Sequence, residues 1–143
     1  IIFVEEQKDE CLKRLERMLN NTDTGMTRER YLEMCEQMGN DPVEEEIPPD
    51  MEDFPPIIAE ALHTFNMLGD RLYPEIGYVG KDYTNLEHFL ELYGIEDKEY
   101  FFQILSWLDS RAIKKASEEM KRQYDKMKRQ SKSGQQNKVN YSG

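Results

Sequence analysis

Residues 97–113 read DKEYFFQILSWLDSRAI, and their dense apolar side chains predict the first half of a long helix. Asp97 is the expected N-cap, because a short acidic side chain accepts hydrogen bonds from the free N–H groups of the first turn. The residues that make this half apolar are Phe101, Phe102, Ile104, Leu105, Trp107, Leu108, Ala112 and Ile113. Beyond Ile113 the pattern stays helical to about residue 129 but becomes polar, and residues 130–143 are expected to be disordered. The polar half keeps a thin apolar stripe of Ala116, Met120, Tyr124 and Met127.

Four shorter helices are predicted on the N-terminal side of this stretch from apolar residues at helical spacing. They cover about residues 7–19, 27–38, 54–70 and 85–93. Gly39 and Gly94 are the expected C-terminal stops, because glycine readily adopts the left-handed conformation that ends many helices. Asp53 and Thr84 are the expected N-caps of the last two helices. Residues 71–83, rich in glycine and tyrosine, are predicted to form a loop.

The expected fold class is all-α: a small helical domain of about four to five helices, with a long basic C-terminal helix and a disordered C-terminal tail. Residues 1–25 are expected to be an N-terminal helical extension, since Met26 follows a loop-like sequence. Residues 26–113 form the predicted helical core domain, and residues 114–143 the basic helix extension and flexible tail. Within the core domain, residues 40–56 are predicted to be an extended, acidic, proline-rich linker with seven acidic residues and no basic ones.

The charge of the chain, −10 overall, is divided unevenly along the sequence. Residues 1–110 carry 9 basic and 26 acidic side chains, whereas residues 111–143 carry 10 basic and 3 acidic ones. This asymmetry favours charge pairing within the chain, with a second copy or with a partner. The residues expected to pair are Glu44, Glu45, Glu46, Lys114, Lys115, Lys121 and Arg122. Nucleic-acid binding by the basic helix is a weaker alternative, because the acidic body would repel duplex DNA.

The sequence offers no recognisable catalytic, cofactor-binding or metal-binding constellation, so a non-enzymatic function without a cofactor is expected. His63 and His88 are too far apart in sequence to form a ligand pair, and neither cysteine has a neighbour at ligand spacing. Cys11 and Cys35 lie in helical patterns, which is typical of free thiols in a reducing compartment such as the cytoplasm. No apolar run approaches the roughly 20 residues needed to cross a membrane, so no membrane partner is expected.

One short motif, Gly80-Lys81-Asp82-Tyr83-x-x-Leu86, stands between two predicted helices. The helix before it carries Phe65, and the helices after it contain Leu92-Tyr93-Gly94-Ile95 and then Phe101-Phe102. This arrangement resembles the small G/T-type tail assembly chaperones of long-tailed bacteriophages, in which G-L-D-Y-x-x-L precedes a similar helix pair. The resemblance covers about residues 59–115, and Lys81 stands where those proteins have an apolar residue.

The resemblance implies a non-catalytic chaperone that binds the aggregation-prone tape measure protein and helps to recruit tail tube subunits in the cytoplasm of the host bacterium. The residues expected to contact such partners are Tyr73, Tyr78, Gly80, Asp82, Tyr83, Met120, Tyr124 and Met127. The three tyrosines of the loop also fit a second interpretation, in which their rings pin the loop onto the core. An acidic protein-binding module, such as an inhibitor that imitates the charge of DNA, is the alternative function.

Overall fold

The computed structural model describes the backbone of residues 5–141 and the side chains of residues 5–133. In chain order its elements are α1 (Glu5–Asp23), α2 (Arg28–Met38), α3 (Pro56–Met67), β1 (Asp70–Tyr73), β2 (Gly77–Lys81), α4 (Leu86–Tyr93) and α5 (Lys98–Tyr141). Two short 3₁₀ helices, Glu44–Glu46 and Met51–Asp53, lie between α2 and α3. The predicted all-α class with a long C-terminal helix is confirmed, and the two strands are a small addition to it.

The first half of α5 is the centre of the hydrophobic core. Phe101, Ile104 and Leu105 are completely shielded from solvent, in agreement with the apolar pattern. Two buried side chains of α3, Ile58 and Ala61, belong to the same core cluster. Burying side chains of this size stabilises a fold by about 1.5–3 kcal/mol each, so this half of α5 contributes much of the stability.

Helix α1 runs parallel to α5 along the body of the protein. Near its start, Lys8 lies 3.7 Å from the carboxylate of Asp97, and at its end Asp23 lies 2.9 Å from the guanidinium group of Arg111. Midway between these contacts, Leu15 is completely buried in the core cluster. The segment predicted as an N-terminal extension therefore supplies part of the core.

Three predicted helix ends agree with the structure. Gly39 and Gly94 follow α2 and α4 in the left-handed conformation, with φ of 70° and 58°. The carboxylate of Asp97 accepts a hydrogen bond of 3.0 Å from the backbone N–H of Tyr100, as expected of an N-cap. These ends were predictable because each depends on a single residue and its own turn.

Two predicted N-caps are wrong. Asp53 accepts a hydrogen bond from the backbone N–H of Asp50 and so closes a 3₁₀ helix, whereas α3 begins after Pro55 with no side-chain cap. The hydroxyl of Thr84 donates to Asp82, 2.5 Å away, and is therefore not directed at the start of α4. In both places the side chain is engaged within its own turn, Asp53 by the backbone N–H of Asp50 and Thr84 by the carboxylate of Asp82.

Residues 40–56 are folded against the helices and are not the extended linker that was predicted. Pro48 and Pro49 are buried. The guanidinium group of Arg28 donates to the carbonyl oxygen of Pro48 at 3.0 Å and also bonds the carboxylate of Asp53. Arg17 of α1 donates to the carbonyl oxygen of Glu45 at 2.7 Å. Arginines on α1 and α2 thus hold the acidic segment in place.

The predicted loop at residues 71–83 instead contains an antiparallel hairpin of β1 and β2. Asp70 is paired with Lys81 and Tyr73 with Gly77, with an irregularity of register between Asp70 and Leu72. The sequence did not indicate these strands, because both are short and neither alternates clearly between apolar and polar residues. Strand β2 packs against α5, so the position of the hairpin depends on tertiary contacts.

The C-terminal helix is longer than the pattern indicated. Residues 130–133, at the start of the predicted disordered tail, continue α5. The rest of that prediction, for residues 134–143, falls on positions whose side chains lie outside the described part of the chain.

Replacing Leu15 tests whether α1 belongs to the core. Leu15→Ala is expected to lower the free energy of unfolding by about 2–5 kcal/mol, because it leaves a cavity in a fully buried site. Leu92→Ala, on the exposed face of α4, is the matched control and is expected to change it by about 0.5 kcal/mol or less. Urea titrations followed by circular dichroism give both values. Equal effects of the two substitutions would show that α1 does not contribute to the core.

Candidate functional site

The carboxylate of Asp109, on the buried face of α5, fastens the hairpin to the helix. It is only 8 % exposed. The hydroxyl of Tyr78 donates to Oδ1 at 2.5 Å, and the hydroxyl of Tyr83 donates to Oδ2 at 2.8 Å. The backbone N–H of Lys81 donates to the same Oδ2 at 3.0 Å. We refer to Asp109 with these three donors as the Asp109 lock.

The titration behaviour of the lock follows from its geometry. Burial alone would raise the pKa of Asp109, but the hydrogen bonds from Tyr78, Lys81 and Tyr83 and the nearby Lys81 ammonium lower it below its usual value. Burial and the adjacent Asp109 carboxylate raise the pKa of both tyrosines. Asp109 is therefore ionised and both phenols are protonated at neutral pH, which is the state that makes all three hydrogen bonds.

Gly80 is required by the close approach of β2 to α5. Its φ of 125° is one that other residues rarely adopt. A Cβ atom at this position would lie 3.1 Å from Oδ2 of Asp109 and 3.2 Å from the guanidinium group of Arg71. Any side chain here would push the strand away from the carboxylate and lengthen the Lys81 hydrogen bond.

Lys81 is buried although it is a lysine. Its ammonium group lies 2.6 Å from the carboxylate of Asp70 and donates to the carbonyl oxygen of Leu68 at 3.3 Å. The same nitrogen lies 4.5 Å from the centre of the Phe65 ring, within the range of a cation–π contact. These partners allow a charged residue at a position where the resembled proteins have an apolar one.

The motif that carries the resemblance therefore works as an internal fastening. Gly80 permits the approach, Lys81 supplies a backbone donor, and Tyr83 supplies a hydroxyl donor. Asp82 accepts hydrogen bonds from the backbone N–H and the hydroxyl of Thr84 and shapes the turn into α4. Of the residues predicted to bind a partner, Tyr78, Gly80 and Tyr83 have their polar groups or their space occupied within the chain. Tyr78 and Tyr83 thus behave as the pinned-loop interpretation expected, whereas the third tyrosine, Tyr73, is 54 % exposed.

Other predicted partner-binding residues lie on the surface at the turn of the hairpin. Met120 contacts the backbone of Gly77, because a Cβ atom on that glycine would lie 2.7 Å from the methionine sulfur. The hairpin carries three further large apolar side chains close to this turn, and each of them, like Met120, is between 40 and 68 % exposed. We name them the tip patch: Leu72, Tyr73, Ile76 and Met120.

Tyr124 and Met127 continue the apolar stripe of α5 beyond the tip patch. Each is about two thirds exposed. They follow Met120 by four and seven residues and so lie on the same face of the helix. We refer to this pair as the distal stripe.

The residues expected to pair charges are not brought together. Lys115 pairs with Asp23 at the end of α1, and Arg122 pairs with Glu119 on its own helix. Glu46 accepts a hydrogen bond of 3.2 Å from the hydroxyl of Tyr31, and the backbone of Glu45 is bonded by Arg17. Among the described side chains, no ion pair joins Glu44, Glu45 or Glu46 to the basic residues at 114, 115, 121 and 122.

Three residues of this region were not predicted from the sequence to belong to a site: Leu72, Ile76 and Asp109. The signal for Asp109 was a single acid inside the apolar run ILSWLDSRAI, where an unpaired carboxylate would be costly to bury. Leu72 and Ile76 gave no signal, because their exposure follows from the hairpin.

The described residues contain no group of three His, Cys, Asp or Glu side chains placed to hold a metal ion. Nor does any helix among them combine the length and apolar character that crossing a bilayer would require. The thiols of Cys11 and Cys35 are both free. No family model, curated protein or solved structure matches the chain.

Replacing the buried acid tests the lock. Asp109→Asn is expected to lower the free energy of unfolding at neutral pH by about 1–3 kcal/mol, because an amide group cannot accept from all three donors. Since the folded pKa lies below the ordinary value of about 3.9, the carboxylate stabilises the fold above about pH 4. This stabilisation is lost as the pH falls through the folded pKa. The difference between wild type and variant should therefore shrink in acid.

The control for this experiment is Asp125→Asn, on the polar part of the same helix. It removes the same charge but no part of the lock. Urea titrations at several pH values measure both variants. A difference for Asp109→Asn that stays constant down to about pH 2 would contradict the assigned role of the carboxylate.

Proposed function

We propose that this protein is a non-catalytic tail assembly chaperone of a long-tailed bacteriophage. It binds the tape measure protein, helps to recruit tail tube subunits and acts in the host bacterial cytoplasm. The observation that supports this proposal is the tip patch, in which large apolar side chains near the hairpin turn and on the adjacent α5 are exposed to solvent. Clusters of this kind on a small protein commonly mark a binding surface.

The chemistry of the tip patch suits an aggregation-prone helical client. The flexible thioether of Met120 adapts to irregular apolar surfaces, and the ring of Tyr73 contributes a large contact with a polar end. The Asp109 lock holds the hairpin against α5, so the patch needs little ordering when it binds. A net charge of −10 would help to keep the resulting complex in solution.

The phage assignment itself comes from the motif Gly80-Lys81-Asp82-Tyr83-x-x-Leu86 and the helices around it. In this chain the motif places the hairpin next to α5. The motif supports the chaperone function through its sequence, and the tip patch supports it through the chemistry of the surface.

An acidic protein-binding module is the second candidate. The observation that favours it is the order of the acidic segment, in which Glu44–Glu46 form an exposed 3₁₀ helix held by Arg17 and Tyr31. Such a module would bind a basic partner, and its affinity would fall steeply with added salt. The chaperone proposal predicts the opposite, because binding through apolar side chains depends weakly on salt.

The chaperone function is tested by co-expressing the full chain with the tape measure protein encoded beside it. Wild type is expected to keep the client in the soluble fraction as a complex. The double variant Tyr73→Glu/Ile76→Glu should reduce the soluble client severalfold, because each charge costs about 1 kcal/mol or more in a buried apolar contact. Gel filtration of the lysate with quantitative blotting measures the complex.

Leu92→Glu is the matched control, because Leu92 is as exposed as Ile76 but lies on α4. It should leave the complex intact, and circular dichroism shows whether each variant is folded. A client that stays insoluble with folded wild type would overturn the chaperone function. A soluble complex unaffected by Tyr73→Glu/Ile76→Glu would show that the client binds elsewhere.

A further inference from the structure

A second apolar surface lies in the N-terminal half of the chain, between α2 and the acidic segment that follows it. Tyr31, Met34, Cys35 and Met38 form one face of α2, and Val43 faces them across a groove of about 470 Å³. The hydroxyl of Tyr31 accepts from the backbone N–H of Val43 and donates to Glu46, both at 3.2 Å. These two bonds tie the segment after α2 to the helix. We name this the acidic groove.

No residue among those that the structure describes covers the acidic groove. Met38 is 69 % exposed, and Met34 and Val43 are exposed as well. Isolated exposed apolar residues are ordinary, but here three of them line one concave site. The groove is therefore shaped to receive an apolar ridge.

The distal stripe of α5 has the matching shape. Tyr124 and Met127 are three residues apart along a helix, as are Cys35 and Met38 on α2. Three residues correspond to a rise of about 4.5 Å, so the ridge fits within the length of the groove. Two helical faces can pack side by side through their side-chain ridges.

The charges beside the two surfaces are complementary. Residues 28–46 carry seven acidic and two basic side chains, whereas residues 114–133 carry eight basic and three acidic ones. Among the described side chains, the basic residues of α5 beyond Lys115 form one ion pair with a carboxylate, Arg122 with Glu119. Most of the basic charge is therefore available to a partner.

We propose that the chain binds a second copy of itself, with the distal stripe of one copy seated in the acidic groove of the other. The apolar ridge of Tyr124 and Met127 covers Met38 and Val43. Lysines and arginines of α5 meet the glutamates of α2 and of the segment after it. When both copies make this contact reciprocally, the pair is a closed, two-fold symmetric dimer.

Charge also selects this contact over the simpler one between two α5 helices. Two distal stripes packed together would bring two strongly basic segments into contact, and like charges at an interface are unfavourable. Two acidic grooves would repel each other in the same way. The proposed contact is the one arrangement of these two surfaces in which each apolar face meets a partner of opposite charge.

Sedimentation velocity on the full chain tests the self-association without any client. In about 0.1 M salt, wild type is expected to sediment as a species larger than the 17.0 kDa monomer. In about 1 M salt the association should weaken severalfold, because screening acts over about 3 Å there against about 10 Å at the lower concentration. Wild type that stays monomeric at low salt would overturn the proposal.

Two variants locate the contact. Tyr124→Glu/Met127→Glu removes the stripe, and Met38→Glu/Val43→Glu removes the groove. Each is expected to be monomeric alone, whereas an equimolar mixture should form a complex, because the first keeps its groove and the second keeps its stripe. Leu92→Glu should associate like wild type, and circular dichroism verifies that all variants are folded.

The remaining outcomes each contradict the proposed contact. Loss of association in the stripe variant alone would indicate packing between two α5 helices. Loss in the groove variant alone would indicate packing between two grooves. Two monomeric variants that do not associate when mixed would show that stripe and groove are not partners. Since no client is present, these results are independent of the chaperone function.

Discussion

The buried carboxylate of Asp109 is the interaction on which the arrangement of hairpin and helix depends. A carboxylate on the apolar half of α5 carries a large desolvation cost, which must be offset by donors. All the donors assigned to it come from β2 and the turn that follows, through Tyr78, Lys81 and Tyr83. The helix cannot satisfy its own acid without the hairpin, and a short two-stranded hairpin is marginal without a helix to pack on. Each element therefore fixes the other, and the tip patch is presented at a defined place.

The first half of helix α5 is packed in the core, and its second half extends beyond the rest of the fold. The ion pairs of Arg111 and Lys115 with Asp23 lie where one half passes into the other. Before Arg111 the helix is held by buried side chains such as Phe101 and Leu105. After Lys115 it has left the end of α1. An exposed i,i+3 pair such as Glu119 with Arg122 contributes only a few tenths of a kcal/mol to its stability. Helical segments of this kind gain most of their stability from packing, so the projecting half has a physical need for a partner.

Sequence reasoning succeeded where one residue and its neighbours decide the outcome. The stops at Gly39 and Gly94, the cap at Asp97 and the apolar face of α5 are all of this kind. It failed where the outcome depends on which distant residue is near. The hairpin strands have little intrinsic preference and form because Asp109 draws β2 onto α5. Of the charge pairing that was expected, the pairing within one chain does not reach Glu44–Glu46, because the length of α1 places Asp23 beside Arg111 and Lys115.

The distribution of charge explains why the exposed surfaces remain separate. Arg17 and Arg28 hold the acidic segment through its backbone and through the carboxylates of Glu52 and Asp53, so they use two of its seven carboxylates. The Asp23 contacts use only two of the basic residues of α5. Among the described side chains, most acidic groups of the segment at residues 40–56 and most basic groups of α5 therefore form no ion pair with each other. In a molecule with a net charge of −10, self-pairing is limited to contacts that bring the basic helix to the acidic segment. The tip patch takes no part in such a contact and stays available for a different protein.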